Sequence, residues 1–378
     1  MRILLITDLY PLFDDEKGIP LTIKAFAEGF VERGHLVEVF RPNLIPNVLI
    51  RKRKLYKNGC KENNGIRVYN KNFLTPFRKH SVLRAYKKYF KGETFDVIIA
   101  HMPSGIMCAD IISKEYNIPF LAAVHSSDIT VLKSFKYALF KKRMVEAYKN
   151  ASCILPRSFW LKEKIKKTIP DIKQPVEIIY SGVPLEITEE NEKTERTFNS
   201  KKAKIICASS LIERKNIKNL ILAYKKLKKK HPKVTLEIIG EGPLREKLEI
   251  LNIKNKLDVK FLGQLSKEDV FKKMKEADIF ILPSKNETFG MVYMEALSFG
   301  MAVCCTKNSG IDGIIEDTKN GYLLKPNKKG IYETLNKILS IKPKQFLEVS
   351  KNALTTAKMF SYENSIKNYL EKIELFRL

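Results

Sequence analysis

Short apolar runs alternate with stretches whose apolar residues recur every three or four positions, and this alternation occurs twice along the chain. In the first half, Arg2–Thr7, Leu36–Phe40, Asp96–Ala100, Phe120–Val124, Cys153–Leu155 and Val176–Tyr180 read as strands. Between the first two, Leu21, Ile23, Phe26, Ala27, Phe30 and Val31 line one face of a helix that Gly34 is suited to stop. In the second half the strands are Lys204–Ala208, Thr235–Ile239, Val259–Leu262, Ile279–Leu282, Ala302–Cys305 and Gly321–Leu324. There Ile217, Leu220, Ile221, Tyr224 and Leu227 mark a helix, and Ser266 with Asp269 forms a capping-box pattern for another. The polar, mixed-charge stretch Glu186–Lys204 reads as a linker. Ile366, Tyr369, Leu370 and Ile373 give the last segment, Phe360–Leu378, an amphipathic helical period.

Strands alternating with helices imply parallel sheets covered on both faces. Two doubly wound, Rossmann-like α/β domains are the economical arrangement, one over residues 1–183 and one over 184–359, with helix 360–378 packing back on the first. Ligands of such sheets bind beyond the carboxyl ends of the strands, so the expected site is a cleft across which the two domains face each other.

Composition narrows the class. A length of 378 residues suits two cores, and 44% hydrophobic residues exclude a disordered chain. No run of uncharged apolar residues is long enough for a transmembrane helix. The opening MRILLITDLYP reads as a first strand rather than a signal peptide, so a cytoplasmic protein is expected. The six cysteines include no C-x-x-C pair and are expected to be buried free thiols rather than zinc ligands.

A net charge of +27 favours anionic partners. Fourteen bases and a single acid, Glu62, fall between Asn47 and Lys91, a local net charge of about +13. Phe140 and Met144 beside Lys133, Lys141, Lys142 and Arg143 make 132–148 a second basic amphipathic stretch. Both are candidates for contact with an anionic membrane at its inner face. General lysine bias remains an alternative for the first, and a core-packing helix for the second. No zinc finger, basic zipper or aromatic RNA-binding motif is present, so nucleic acid is not an expected partner.

The chemistry concentrates after the strand at Ile279–Leu282, where a polar turn leads into a helix. Glu287 stands in the turn and Glu295 eight positions later, both suited to accept hydrogen bonds from sugar hydroxyls. Gly290 permits close approach of a ligand. The N–H groups of Thr288, Phe289, Gly290, Met291 and Val292 are expected to be free at the helix start, a favourable place for a diphosphate. The alternative is that both acids simply favour an early helix turn. After the strand at Lys204–Ala208, Lys215 can reach a phosphate as a point charge and Arg214 can grip one with two parallel bonds. His101 and His125 end two strands at the same expected edge, where a structural role is the alternative. No Asp-x-Asp stands at a cleft position, so neither metal nor other cofactor is expected.

The spacing E-x₇-E with Thr288-Phe289-Gly290-Met291 inside it, followed by Glu295–Val303 and by Asn320–Leu324, resembles the retaining glycosyltransferases of the GT-B fold, the large "group one" family. The resemblance covers nearly the whole chain. It implies that Glu287 contacts the donor sugar and Glu295 the ribose, with Lys215 and His125 near the transferring group. It also places Ser209 and Ser210 where the family has glycine and arginine, so Arg214 is the candidate for the missing cation. Gly240 and Gly242 are then beside the nucleotide, the loop with Leu265 holds the base, and Gly18 lies in a turn that usually carries paired glycines. The implied activity is metal-independent transfer, with retention, from a nucleotide sugar (UDP by family frequency) to a hydroxyl of a cell-envelope glycan or lipid-linked acceptor. A nucleotide-sugar 2-epimerase and a catalytically weakened nucleotide-sugar-binding protein, the latter suggested by Ser210, remain open.

Overall fold

The computed structural model describes residues 1–13, 21–50, 54–74, 77–134, 138–183 and 196–377. The chain divides into two compact units, Met1–Ser181 with Tyr362–Leu378, and Gly182–Ser361.

The first unit is built on a seven-stranded sheet of order β3-β4-β2-β1-β5-β6-β7. Its strands are β1 (Arg2–Ile6), β2 (Leu36–Leu44), β3 (Gly59–Asn63), β4 (Ile66–Phe73), β5 (Val97–His101), β6 (Phe120–Val124) and β7 (Cys153–Pro156). Neighbours run parallel except β3, which is antiparallel to β4. Helices cover both faces, so successive residues of β1 enter different cores: Ile3 and Leu5 join one cluster, Leu4 and Ile6 the other. This is why the strand reads as one unbroken apolar run. The helices are α1 (Leu21–Val31), α2 (Ile45–Ile50), α3 (Lys79–Tyr89), α4 (Met102–Tyr116), α5 (Ser126–Lys133), α6 (Ala138–Asn150) and α7 (Phe159–Thr168).

The unit is completed by the last helix, Tyr362–Phe376 (α14 in chain order), which packs on α1. Tyr369 meets Phe26 and Phe30 edge-on at 5.1 and 5.5 Å. Gly29 makes the approach possible, because a Cβ there would sit 2.2 Å from Ile366 Cδ1.

The structure refines three expectations for this half. The basic stretch from Asn47 contains the β3–β4 hairpin, whose turn residues Asn64 and Gly65 both have positive φ, at 48° and 73°. Asn-Gly between two runs is the hairpin signal that the charge count obscured. Some of its bases are engaged: Arg67 lies 2.5 Å from buried Glu38, and Lys79 lies 2.9 Å from Glu115. Arg84, Lys87, Lys88 and Lys91 are exposed. Secondly, Val176–Tyr180 is not a full strand. It runs beside β7, with Glu177 N–H donating to Ile154 O and Ile179 N–H to Pro156 O, but forms only one bridge, at Val176. Thirdly, 132–148 is two helices, α5 and α6, and Leu132, Met144 and Tyr148 are fully buried in the core. The described apolar residues of this stretch therefore face the protein interior.

The second unit has a six-stranded, all-parallel sheet of order β10-β9-β8-β11-β12-β13. The strands are β8 (Lys204–Ala208), β9 (Thr235–Ile239), β10 (Lys260–Gly263), β11 (Ile279–Leu282), β12 (Ala302–Thr306) and β13 (Tyr322–Leu324). The helices are α8 (Ile217–Lys230), α9 (Arg245–Lys254), α10 (Lys267–Glu276), α11 (Met291–Ser298), α12 (Lys328–Ile338) and α13 (Pro343–Met359). The apolar face of α8 is buried throughout, and Ser266 Oγ caps α10 by accepting from Asp269 N–H. Strand order reverses between β8 and β11, and the loops leaving such a switch point frame a ligand crevice.

The expected linker is only partly a linker, and residues 186–195 of it lie outside the described set. From Arg196 on it is packed. The Arg196 guanidinium donates to the carbonyls of Phe299, Ala277 and Met274, joining the carboxyl ends of α10 and α11. Phe198 stacks on Phe346 at 4.0 Å.

Candidate functional site

In the second unit, the loops after β8 and β11 meet at the switch point. Glu287, in the turn after β11, is buried, and its Oε2 lies 2.5 Å from Lys215 Nζ, with only 12% and 9% of the two side chains exposed. Arg214 Nη1 lies 3.3 Å from Glu287 Oε1 and donates to Asn286 O at 2.8 Å. Burial pushes the Glu287 carboxyl up, but Lys215 first and Arg214 second outweigh it and hold it below its ordinary value. This carboxylate is therefore charged and oriented before any ligand arrives.

Three residues that the sequence reading did not single out fix this arrangement. Ser309 Oγ accepts from Glu287 N–H at 2.7 Å, and Ser284 Oγ donates to Glu287 Oε2 at 3.3 Å. Asn216 adopts the left-handed conformation and ties Pro283 O to Pro326 O through its side-chain amide. Asn tolerates that conformation better than most residues, which was the available signal.

Not all N–H groups before α11 are free as expected. Thr288 N–H donates back to Glu287 Oε1. Met291 and Val292 open α11 and so have no acceptor within the helix. Gly290 caps it with φ of 81°, and a Cβ there would meet the Tyr293 ring at 2.5 Å, so local packing already demands the glycine.

Gly240 and Gly242 have a similar explanation. A Cβ at Gly240 would lie 1.9 Å from Ser209 O, and one at Gly242 would lie 2.6 Å from Leu211 O. The turn after β9 thus abuts the 209–211 loop, with Leu211 N–H donating to Glu241 O and Ser209 N–H to Ile239 O. Gly240 N–H also reaches Gly263 O, linking the turn to the loop that carries Leu265. Glu295 projects from α11, and burial raises its carboxyl against the opposing pull of Lys267, whose Nζ is 4.0 Å away. Lys267 is two residues beyond Leu265, so this ion pair brings the Leu265 loop to Glu295. Ser210 is exposed. Arg214, the candidate to replace a cation there, is instead bonded to Glu287 and Asn286.

In the first unit, His101 and His125 end β5 and β6 and touch, with His101 Nδ1 3.1 Å from His125 Nε2. Burial first, and nearby Arg157 second, lower both rings: His101 falls to about 3 and His125 falls well below its ordinary value. His125 N–H donates to Asp128 Oδ2 at 2.7 Å, and burial raises the Asp128 carboxyl to about 7. Met102, just after His101, has a positive φ of 67°, a strained conformation of the kind that clusters at functional sites. Arg157 was not anticipated, since one base among many carries no signal in the sequence. Gly18 lies outside the described residues.

Comparison with known proteins gives a consistent family. Residues 188–355 match the family model described as Glycosyl transferases group 1, and residues 17–187 match Glycosyltransferase Family 4. The chain is 28% identical over 315 residues to the uncharacterized glycosyltransferase MJ1178 of Methanocaldococcus jannaschii, covering 81% of this chain and 84% of that one. It is 30% identical over 176 residues to the alpha-monoglucosyldiacylglycerol synthase of Streptococcus pneumoniae, covering 43% and 40%. Its structure resembles Anabaena HepE in complex with UDP, at a TM-score of 0.72 and 17% identity over 99% and 100% of the two chains. With a glycosyltransferase family model matching each half and a fold matching the GT-B structures, the chain is a glycosyltransferase of the GT-B type.

Proposed function

We propose that the protein is a retaining hexosyltransferase that moves a sugar from UDP to a hydroxyl of a cell-envelope glycan or lipid-linked acceptor. The observation that carries this reading is the Lys215–Glu287 pair at the β8–β11 switch point. A preformed carboxylate suits sugar hydroxyls, and a fixed ammonium beside it suits a departing diphosphate. Met291 and Val292 N–H groups add the positive end of α11. Glu295, joined by Lys267 to the Leu265 loop, is proposed for the ribose and that loop for the base. These fixed positive groups are the reason for proposing transfer without a metal or other cofactor.

In the proposed reaction the acceptor hydroxyl attacks on the leaving-group face and passes its proton to the departing phosphate. His125, kept neutral, contacts the sugar without adding charge as cation character grows at the anomeric carbon. UDP is favoured because HepE was solved with UDP. A lipid-linked acceptor is favoured by the glycolipid-forming relative and by the exposed bases of α3, which suit a protein resting on the inner membrane face. Among the described residues no helix is long and apolar enough to cross a membrane.

The test is product formation from a panel of UDP-, GDP- and ADP-sugars with EDTA present, followed by the anomeric configuration of the product. Hexose transfer from UDP with retention supports the proposal, and absence of transfer from every donor overturns it. A weakened donor-binding protein is the second reading, favoured by the exposed Ser210 and the engaged Arg214. It predicts UDP binding without turnover.

A further inference from the structure

A cavity of about 530 Å³ opens in the second unit between α8 and α9, a size that suits a small-molecule ligand. Ile212 and Lys285, which follow β8 and β11, also line it, so it lies at the carboxyl edge of the sheet. Its floor is aliphatic. Leu244, Leu248 and Leu251 recur at helical spacing along α9 and line the cavity together with Ile217 at the start of α8. No aromatic side chain lines it. With no ring to stack against, the floor suits an aliphatic chain better than a planar group.

The rim is basic. Lys218, Lys247, Lys254 and Lys285 reach it from α8, α9 and the turn after β11, and among the described residues none of the four forms an ion pair. Glu213 is the one acid lining the cavity, and it forms none either. Four like charges gathered without a counter-charge repel one another, and an anion among them relieves that repulsion. Lysine stems can lie along apolar surface while their heads stay in water, so floor and rim together suit a ligand that is apolar along its length and anionic at its end. Lysine supplies point charge rather than a planar fork, which suits a phosphate or a carboxylate head equally. The acid-rich stretch 186–195 ends at Arg196, whose bonds to Ala277 O and Phe299 O fix it beside the starts of β11 and β12, at the opposite edge of the sheet. The described part of the linker therefore brings no acid to the cavity.

Ile212, Glu213 and Asn216 line the cavity on either side of Arg214 and Lys215, and Lys285 N–H donates to Arg214 O at 2.9 Å. An occupant therefore rests against the turn that holds Lys215. None of Lys215, Glu287, Met291, Val292 and Glu295 lines the cavity itself. We propose that it is a second ligand site, separate from that of the donor, for an amphiphilic anion whose aliphatic chain lies on the leucine floor and whose phosphate or carboxylate head sits among the four lysines.

Octyl phosphate, kept below its micellar concentration, is the probe. Titrated into full-length protein labelled at isoleucine methyl groups, it should move the signals of Ile212, Ile217 and Ile250 saturably. Calorimetry should show hexyl phosphate binding about tenfold more weakly, because two fewer methylenes are buried, and inorganic phosphate more weakly still. Ile250 is 42% exposed, so Ile250→Asp should fold normally. That variant, and the double variant Lys247→Gln with Lys254→Gln, should each weaken octyl phosphate about tenfold with thermal unfolding unchanged. Unmoved isoleucine signals, equal affinity for the three phosphates, or binding that survives both variants would overturn the site. Displacement of octyl phosphate by UDP would make the cavity part of the donor site and overturn it as a second one. Vesicles of phosphatidylglycerol and phosphatidylcholine distinguish the source: displacement of bound octyl phosphate assigns the ligand to a bilayer lipid, and retention assigns it to a dissolved amphiphile. None of these readouts requires sugar transfer, so the site and the transferase reading stand or fall separately.

Discussion

Lys215 and Glu287 are 2.5 Å apart and nearly sealed from water, although one leaves β8 and the other β11. Removing Glu287 leaves the Lys215 charge buried without its partner, at a cost of about 3–5 kcal/mol, whereas removing Lys215 leaves Glu287 with Arg214 alone and costs less. Lys215→Met and Glu287→Met should each lower the urea midpoint and reduce turnover about 100- to 1,000-fold, the range for losing one electrostatic contact to a transition state. The double variant should recover much of the stability and none of the activity. Additive stability losses would show that the pair does not act as a unit.

The cluster at the edge of the first sheet should shape stability against pH in two directions. His101 titrates near 3 in the folded chain, below its ordinary 6.5, so below pH 6.5 the unfolded chain takes a proton that the folded ring refuses. Stability then falls with pH, by about 1.4 kcal/mol per unit for one full proton. Asp128 works oppositely: raised from 3.8 to about 7, it holds a proton in the folded state, and its contribution fades as pH rises through that window. Urea titrations from pH 5 to 8 should show Asp128→Asn gaining on the wild type as pH rises. Parallel profiles would contradict this account.

Arg196 joins the carboxyl ends of α10 and α11 through four carbonyls. Arg196→Lys retains the charge but cannot span them. It should destabilise the second unit by about 2–3 kcal/mol, the worth of charge-assisted bonds, read as an earlier transition in calorimetry with UDP absent.

Ser210 is exposed, and Arg214 is already held by Glu287 and Asn286. Ser210→Arg should therefore add a cation without displacing one, raising kcat/KM about tenfold with little change in thermal stability. An unchanged or lower value would mean that Ser210 does not face the donor phosphates.

The second sheet was legible strand by strand, because each strand is a short run rich in apolar residues, punctuated by turn residues or a helical period. The first was less so. Ile66–Phe73 carries Arg67, Asn70, Lys71 and Asn72, and its inward Asn70 is tolerated only because Asn43 and the Lys57 carbonyl satisfy it. No local pattern announces such a partnership. Glu287 and Lys215 were legible as residues, but their direct contact was not, since it depends on two loops 72 positions apart closing on each other.

Helix α14 has one further consequence. It belongs to the first unit, yet it is made only after all of Gly182–Ser361 has been synthesised. The aromatic surface of Phe26 and Phe30 must therefore wait, uncovered, while the second unit is synthesised and folds. A stalled or truncated chain ending near Ser361 would expose that surface, making it the natural target for chaperones or proteases that monitor unfinished chains.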